Sequence, residues 1–176
     1  MLRDTAATYA PRADDASLTF IVRIPDDLPA VQGDAERFGQ IAASLLSNAI
    51  KFTGPGGTVT LTAWITDSSD IGFNIYDTGI GMSPGEIETA TIPFARLHEQ
   101  DYLTRNDAVA DAPTSTRLGL PLARLLTEAH DGTLTIESVP GAGTAVSIRL
   151  PASRIITPDA DQQNANARLR RASGDC

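Results

Sequence analysis

Cysteine, lysine and histidine are scarce in this chain of 176 residues, which has one cysteine, one lysine and two histidines. The lone cysteine, Cys176, cannot form an internal disulfide, and its scarcity fits a reducing compartment. Long apolar runs are also missing, and the first residues do not form a signal peptide, so we expect a cytoplasmic domain without direct membrane contact. The net charge of -8 and the pI near 4.6 disfavour a nucleic-acid surface.

The chain is long enough to bury one core, and its patterns divide it into three parts. Residues 1–16 are polar and are predicted to be a linker from a missing upstream region, whereas residues 152–176 are predicted to be a disordered tail. Between them, alternating apolar residues predict strands at 17–24, 58–66, 71–77, 133–138 and 144–150, and helical spacing predicts helices at 34–53, 84–90 and 118–130.

The helix predicted at 34–53, with Asp34 as its N-cap, carries polar residues along the edge of its apolar face. Ser44, Asn48 and Lys51 lie three or four positions apart, so they point in similar directions. An amide oxygen such as that of Asn48 suits Mg²⁺ when phosphates and waters complete the octahedron. Lys51, the only lysine, fits a phosphate contact. For Lys51 alone, a solvated helix face is the competing interpretation.

The strand at 71–77 predicts a buried carboxylate at its end. Asp77 continues the inward register of the apolar residues before it, and a buried carboxylate needs donors, for which an adenine amino group is suitable. Gly79 and Gly81 allow a tight turn and close approach to a ligand. Because Asp-x-Gly is also a common turn sequence, the motif gains its weight from the helix upstream.

Together these segments resemble the ATP-binding catalytic domain of bacterial sensor histidine kinases, in the superfamily that also holds gyrase, a heat-shock chaperone and the MutL repair protein. The resemblance covers about residues 17–151. It rests on an asparagine box at 34–53, a first glycine box at 77–82, a phenylalanine box at 93–96, the end of a second glycine box at 118–123 and a closing strand pair at 132–150.

The resemblance implies a Bergerat-type α+β fold, a two-layer sandwich with a mixed, mostly antiparallel sheet and helices on one face. It implies ATP and Mg²⁺ as cofactors. Asn48 would hold the metal, Lys51 would touch a phosphate, and these two would form the catalytic pair. Asp77 would accept from the adenine amino group, with Thr144 nearby. The remaining nucleotide-binding residues would be Gly79, Gly81, Arg117, Leu118, Gly119 and Leu120, beneath a lid at about 95–117.

The implied activity is transfer of the γ-phosphoryl group of Mg-ATP to a histidine on a separate dimerisation domain, and from there to a response regulator. The domain would be the cytoplasmic part of a larger kinase that is anchored in a membrane or free of it. Neither histidine of this chain fits the acceptor: His98 falls within the predicted lid, and His130 ends a helix, where an imidazole suits the helix dipole.

Two departures from the family pattern leave an alternative open. Ser44 stands where hydrolysing members of the superfamily carry a glutamate base, which disfavours ATP hydrolysis. Ser115 and Arg117 replace glycines of the second glycine box. Arg117 either binds the triphosphate through charge-assisted hydrogen bonds or occupies the space where the phosphate would lie. The alternative is a degenerate pseudokinase that binds little or no ATP and serves as a regulatory protein-interaction domain. An anti-sigma-factor serine kinase of the same superfamily is a third hypothesis.

Overall fold

The computed structural model describes residues 1–92 and 119–156. Its helices are α1 (Leu2–Asp15), α2 (Ala35–Phe52), α3 (Pro84–Ala90) and α4 (Gly119–Glu128), followed late in the chain by a 3₁₀ turn at Ala152–Arg154. Its strands are β1 (Thr19–Arg23), β2 (Ala30–Val31), β3 (Thr58–Ile65), β4 (Ile71–Asp77), β5 (Thr133–Val139), β6 (Gly143–Leu150) and β7 (Ile155–Ile156). Every helix within these two ranges is too short or too polar to span a lipid bilayer.

The main sheet has five strands in the order β1-β3-β4-β6-β5. β1 pairs with β3 in parallel, and the other three pairings are antiparallel. The inward residues of these strands form one apolar core with α1, α2 and α4. The predicted two-layer fold with a mixed, mostly antiparallel sheet is therefore confirmed.

Helix α2 forms as its sequence predicted. The carboxylate of Asp34 accepts hydrogen bonds from the backbone amides of Glu36 and Arg37, which caps the first turn. The apolar residues at three- and four-residue spacing are buried against the sheet: Phe38, Ile41, Ala42, Leu45, Leu46 and Ala49. Because this face is held against the core, the polar residues along its edge also have a defined direction.

The segment predicted as a linker forms a helix, α1, that packs on α2 and β1. Leu2, Ala6, Tyr9 and Ala13 face the core at helical spacing, and both alanines are buried. Pro11 and the aspartates of this segment gave it a polar, irregular composition, but the apolar stripe is enough to dock it. Packing against the domain has overridden the local propensity.

The region predicted as a tail begins with ordered structure. β7 pairs antiparallel with β2, aligning Val31 with Ile155, and the Gln32 amide donates to the Arg154 carbonyl at 2.6 Å. The two-residue strands are too short to show an alternating pattern, so no sequence pattern predicts them.

Asp70 closes the β3–β4 turn onto the end of β6. Its carboxylate accepts from Arg149 Nε at 2.9 Å and from the Ala152 amide at 3.0 Å. The hydrogen bond from the Arg149 side chain, with that from the Ala152 amide, lowers the pKa of Asp70 below its ordinary value. Since the folded pKa is the lower one, this contribution to stability is complete above the unfolded pKa and is lost as the pH falls through the folded pKa.

We therefore expect Asp70→Asn to flatten the acid limb of the stability curve. Urea unfolding measured from neutral pH down to about pH 2, well below the ordinary carboxyl pKa, should show a smaller loss of unfolding free energy in the variant than in the parent. Asp67→Asn is the matched control, because Asp67 is an exposed carboxylate of the same turn. Equal acid dependence in the parent and Asp70→Asn would contradict the assignment.

Candidate functional site

Three polar side chains lie side by side at one end of the sheet, on its core-facing side. Asp77 of β4 is aligned with Thr144 of β6, which is aligned with Ser138 of β5. Residues aligned across antiparallel strands project on the same face. The apolar residues of these three strands occupy this face further along, so the polar row marks where the core ends.

Asp77 is buried, as predicted, with 7% of its surface exposed. Its carboxylate accepts from the Gly79 amide at 2.9 Å and from the Thr144 amide. Burial raises the pKa of Asp77 above its ordinary value, and the two amide hydrogen bonds oppose that shift. The bond to Gly79 is the Asp-x-Gly turn that the sequence left as an alternative, so the carboxylate shapes its own loop and still has acceptor capacity.

Residues 78–82 follow Asp77 and form a loop, here called the glycine loop. Its two glycines let it approach the backbone of other segments closely. A Cβ on Gly79 would lie 2.3 Å from the Phe52 carbonyl oxygen, and a Cβ on Gly81 would lie 2.0 Å from the Val139 carbonyl oxygen. Gly81 also has a φ of +65°, which disfavours other residues. Both glycines thus have a packing role in addition to the pocket-shaping role that the resemblance implies.

The polar edge of α2 meets the N-terminus of α4. Ser44, Asn48 and Lys51 are all half-buried, as expected for a helix edge. A Cβ on Gly119 would lie 2.6 Å from Ser44 Oγ and 3.5 Å from Asn48 Nδ2, so the start of α4 lies close against the polar edge of α2. The Lys51 ammonium lies 5.3 Å from the centroid of the Phe52 ring.

Phe52 joins the two halves of the site. Its carbonyl, at the end of α2, accepts a hydrogen bond from the Ile80 amide at 3.1 Å, and the loop after Asp77 packs against it. Asn48 lies one helical turn before Phe52. The structure therefore brings four parts of the chain to the same end of the molecule: Asp77 at the end of β4, the glycine loop, the part of α2 that carries Asn48, and the start of α4.

Other predicted residues have different outcomes. Leu120 is buried in the apolar core, and Arg117, Leu118, Ser115, His98 and the lid at 95–117 lie outside the described residues. His130 follows α4, where its Nδ1 lies 2.8 Å from the Leu126 carbonyl oxygen and its Nε2 accepts from the Asp34 amide at 3.4 Å. Its ring also packs on Phe38, with 4.5 Å between centroids. These contacts give His130 a structural role that joins α4 to the start of α2.

Two residues of this region had no role assigned from the sequence. Ser138 contacts both the glycine loop and Thr144, and its signal was an inward-facing polar residue at the end of a strand. Gly143 has a φ of +115°, and a Cβ there would lie 1.9 Å from the Asp77 carbonyl oxygen. No sequence pattern predicts that approach, because it depends on how β6 lies against β4.

Comparison with known proteins gives a consistent result. Residues 33–154 match the family model of histidine kinase-, DNA gyrase B- and HSP90-like ATPases. The chain is 32% identical over 155 residues to the cell-division control histidine kinase PdhS of Brucella anthropi, which covers 88% of this chain and 15% of that protein. This chain therefore corresponds to a small part of PdhS.

Solved structures of histidine kinases are similar in fold. Full-length ShkA in complex with AMPPNP aligns with a TM-score of 0.69 and 26% identity, covering 85% of this chain and 29% of ShkA. The mycobacterial sensor histidine kinase MprB aligns with a TM-score of 0.69 and 25% identity, covering 85% of this chain and 92% of the MprB chain. These similarities give the pseudokinase alternative no support. The chain belongs to the family of histidine kinase-, DNA gyrase B- and HSP90-like ATPases, and within it to the ATP-binding domains of the histidine kinase type.

Proposed function

We propose that this domain binds Mg-ATP at the end of the sheet where Asp77, the glycine loop, Asn48 and the start of α4 meet. The observation that carries the proposal is that two chemically different groups, the Asp77 carboxylate and the Asn48 amide, lie at the same end of the sheet. A buried carboxylate with spare acceptor capacity suits an amino-substituted base, and an amide oxygen beside a helix N-terminus suits a metal-bound phosphate chain. ShkA, a relative in fold, has been crystallised with AMPPNP.

Each group has a defined task in this proposal. Asp77 accepts a hydrogen bond from the adenine amino group. Asn48 supplies one oxygen ligand to Mg²⁺, which when bound neutralises phosphate charge. Lys51, on the same helix edge, contacts a phosphate. Gly119 leaves room for phosphate beside Asn48, because a side chain there would crowd the Ser44 hydroxyl and narrow that space.

The reaction that we propose is transfer of the γ-phosphoryl group to a histidine on a separate dimerisation domain, and from there to a response regulator. Ser44 supports transfer over hydrolysis. It lies four positions before Asn48 on the same helix edge, and an alcohol cannot replace the carboxylate base that hydrolysing relatives use at this place. We place the domain in the cytoplasm, as part of a larger kinase.

Mg-ATP should raise the melting temperature of the chain, because a ligand that binds the folded state alone stabilises it. At a ligand concentration of about 100 times Kd the gain is about 2.7 kcal/mol. Differential scanning fluorimetry with millimolar Mg-ATP measures this gain, with Mg²⁺ alone and Mg-GTP as controls. An unchanged melting temperature at millimolar Mg-ATP would contradict nucleotide binding by this chain.

A further inference from the structure

The hydroxyl of Ser138 is hydrogen-bonded on three sides. It accepts from the Met82 amide at 2.7 Å and donates to the Gly143 carbonyl at 2.9 Å, and it lies 2.8 Å from Thr144 Oγ1. The side chain thus links the glycine loop to both strands of the last hairpin. Because the hydroxyl has a single proton, these three contacts determine which partner donates in each hydrogen bond.

A serine hydroxyl has one proton to donate and two lone pairs that accept. The carbonyl of Gly143 cannot donate, so the single proton of Ser138 is used there, and the Met82 amide occupies one lone pair. The contact with Thr144 must then be donated by Thr144 to the remaining lone pair. The threonine hydroxyl has no second proton, and its oxygen can only accept from any further neighbour.

Thr144 is aligned with Asp77 across the β4–β6 pair, and its backbone amide already donates to the Asp77 carboxylate. The polar row therefore offers acceptors beside the buried carboxylate and no side-chain donor. A purine with an amino group at position 6 satisfies two such acceptors, whereas a 6-oxo purine would place an oxygen against them, at the cost of an unpaired buried polar group.

We infer that Ser138 is a positioning residue for base selection: it holds Thr144 as an acceptor, so that the site favours 6-amino purines and rejects 6-oxo purines. The inference rests on the proposed function, since it concerns the base end of the same nucleotide. It assigns the selectivity to Asp77 together with the Ser138–Thr144 pair.

The test measures the ratio of affinities for ATP and GTP by titration calorimetry with Mg²⁺ in the full chain. In Ser138→Ala the hydroxyl of Thr144 is free to turn and donate to a 6-oxo group. The preference for ATP should fall by about threefold to tenfold, the factor expected for one neutral hydrogen bond. Ser138→Thr keeps the hydroxyl and should keep the ratio of the parent.

A role for Ser138 in folding alone would lower the melting temperature and leave the affinity ratio unchanged, and that result in a folded Ser138→Ala would overturn the inference. Loss of selectivity in Ser138→Thr would also overturn it. If Ser138→Ala does not fold, Ser138→Cys, with a weaker hydrogen-bonding group, should shift the ratio in the same direction, and an unchanged ratio there overturns the inference. A parent chain that binds neither nucleotide would instead refute the proposed function itself.

Discussion

Replacing Asn48 with alanine is expected to abolish the part of nucleotide affinity that depends on magnesium. Asn48 is the metal ligand in our proposal, and alanine has no oxygen to replace it. In the parent chain, Mg²⁺ should tighten binding of a non-hydrolysable ATP analogue by at least about tenfold, or ~1.4 kcal/mol. In Asn48→Ala, titration calorimetry with and without Mg²⁺ should give nearly the same affinity.

Ser47→Ala is the matched control for this experiment. Ser47 is the preceding residue of the same helix, but it is exposed, so its loss should leave both affinities unchanged. The free energy of unfolding without nucleotide should change little in either variant. A magnesium effect that survives in Asn48→Ala, with the protein folded, would remove this residue from the metal site.

Replacing Gly143 with alanine should destabilise the fold more than any other single methyl group discussed here. Its φ of +115° is unfavourable for alanine, and the new Cβ would lie 1.9 Å from the Asp77 carbonyl oxygen. Backbone strain costs about 1–3 kcal/mol, and overpacking costs about another 1–3 kcal/mol. Because domains are stable by only about 5–15 kcal/mol, urea denaturation should show a large loss of unfolding free energy.

Two other glycines separate the causes of this effect. Gly141 also has a positive φ, +77°, but an added Cβ would meet nothing within 4 Å, so Gly141→Ala should report strain alone. Gly39 lies inside α2 with equally open space, and Gly39→Ala should stabilise the protein by about 0.5–1 kcal/mol. If Gly143→Ala lowered the free energy of unfolding no more than Gly141→Ala, the close approach of Gly143 to Asp77 would be contradicted.

The sequence was most informative where one element determines its own geometry. The apolar spacing of α2 predicts its buried face, and Asp34 marks where the helix begins. The alternation along β4 predicts that Asp77 is buried. Both predictions were confirmed because period and burial coincide. In the N-terminal segment, the polar composition, with Pro11 and the aspartates, obscured an apolar stripe at helical spacing, and this stripe packs on α2 and β1 as α1.

Features that depend on contacts between distant segments could not be predicted. The approach of Gly143 to Asp77 and the three hydrogen bonds of Ser138 join β4, β5, β6 and the glycine loop, which only the sheet register brings together. The same reason explains β7, whose two residues gain their structure from pairing with β2. At this end of the sheet, the burial of Asp77 was therefore predictable, whereas the arrangement of hydroxyl protons between Ser138 and Thr144 required the fold.

The most direct test of the central proposal is the diffraction structure of this chain crystallised with Mg²⁺ and a non-hydrolysable ATP analogue. We expect the adenine amino nitrogen within about 2.7–3.2 Å of an Asp77 carboxylate oxygen. We also expect the metal at about 2.0–2.1 Å from Asn48 Oδ1, in the same molecule. An analogue bound elsewhere, or with its phosphates directed away from Asn48, would contradict the proposal that one cavity serves both residues.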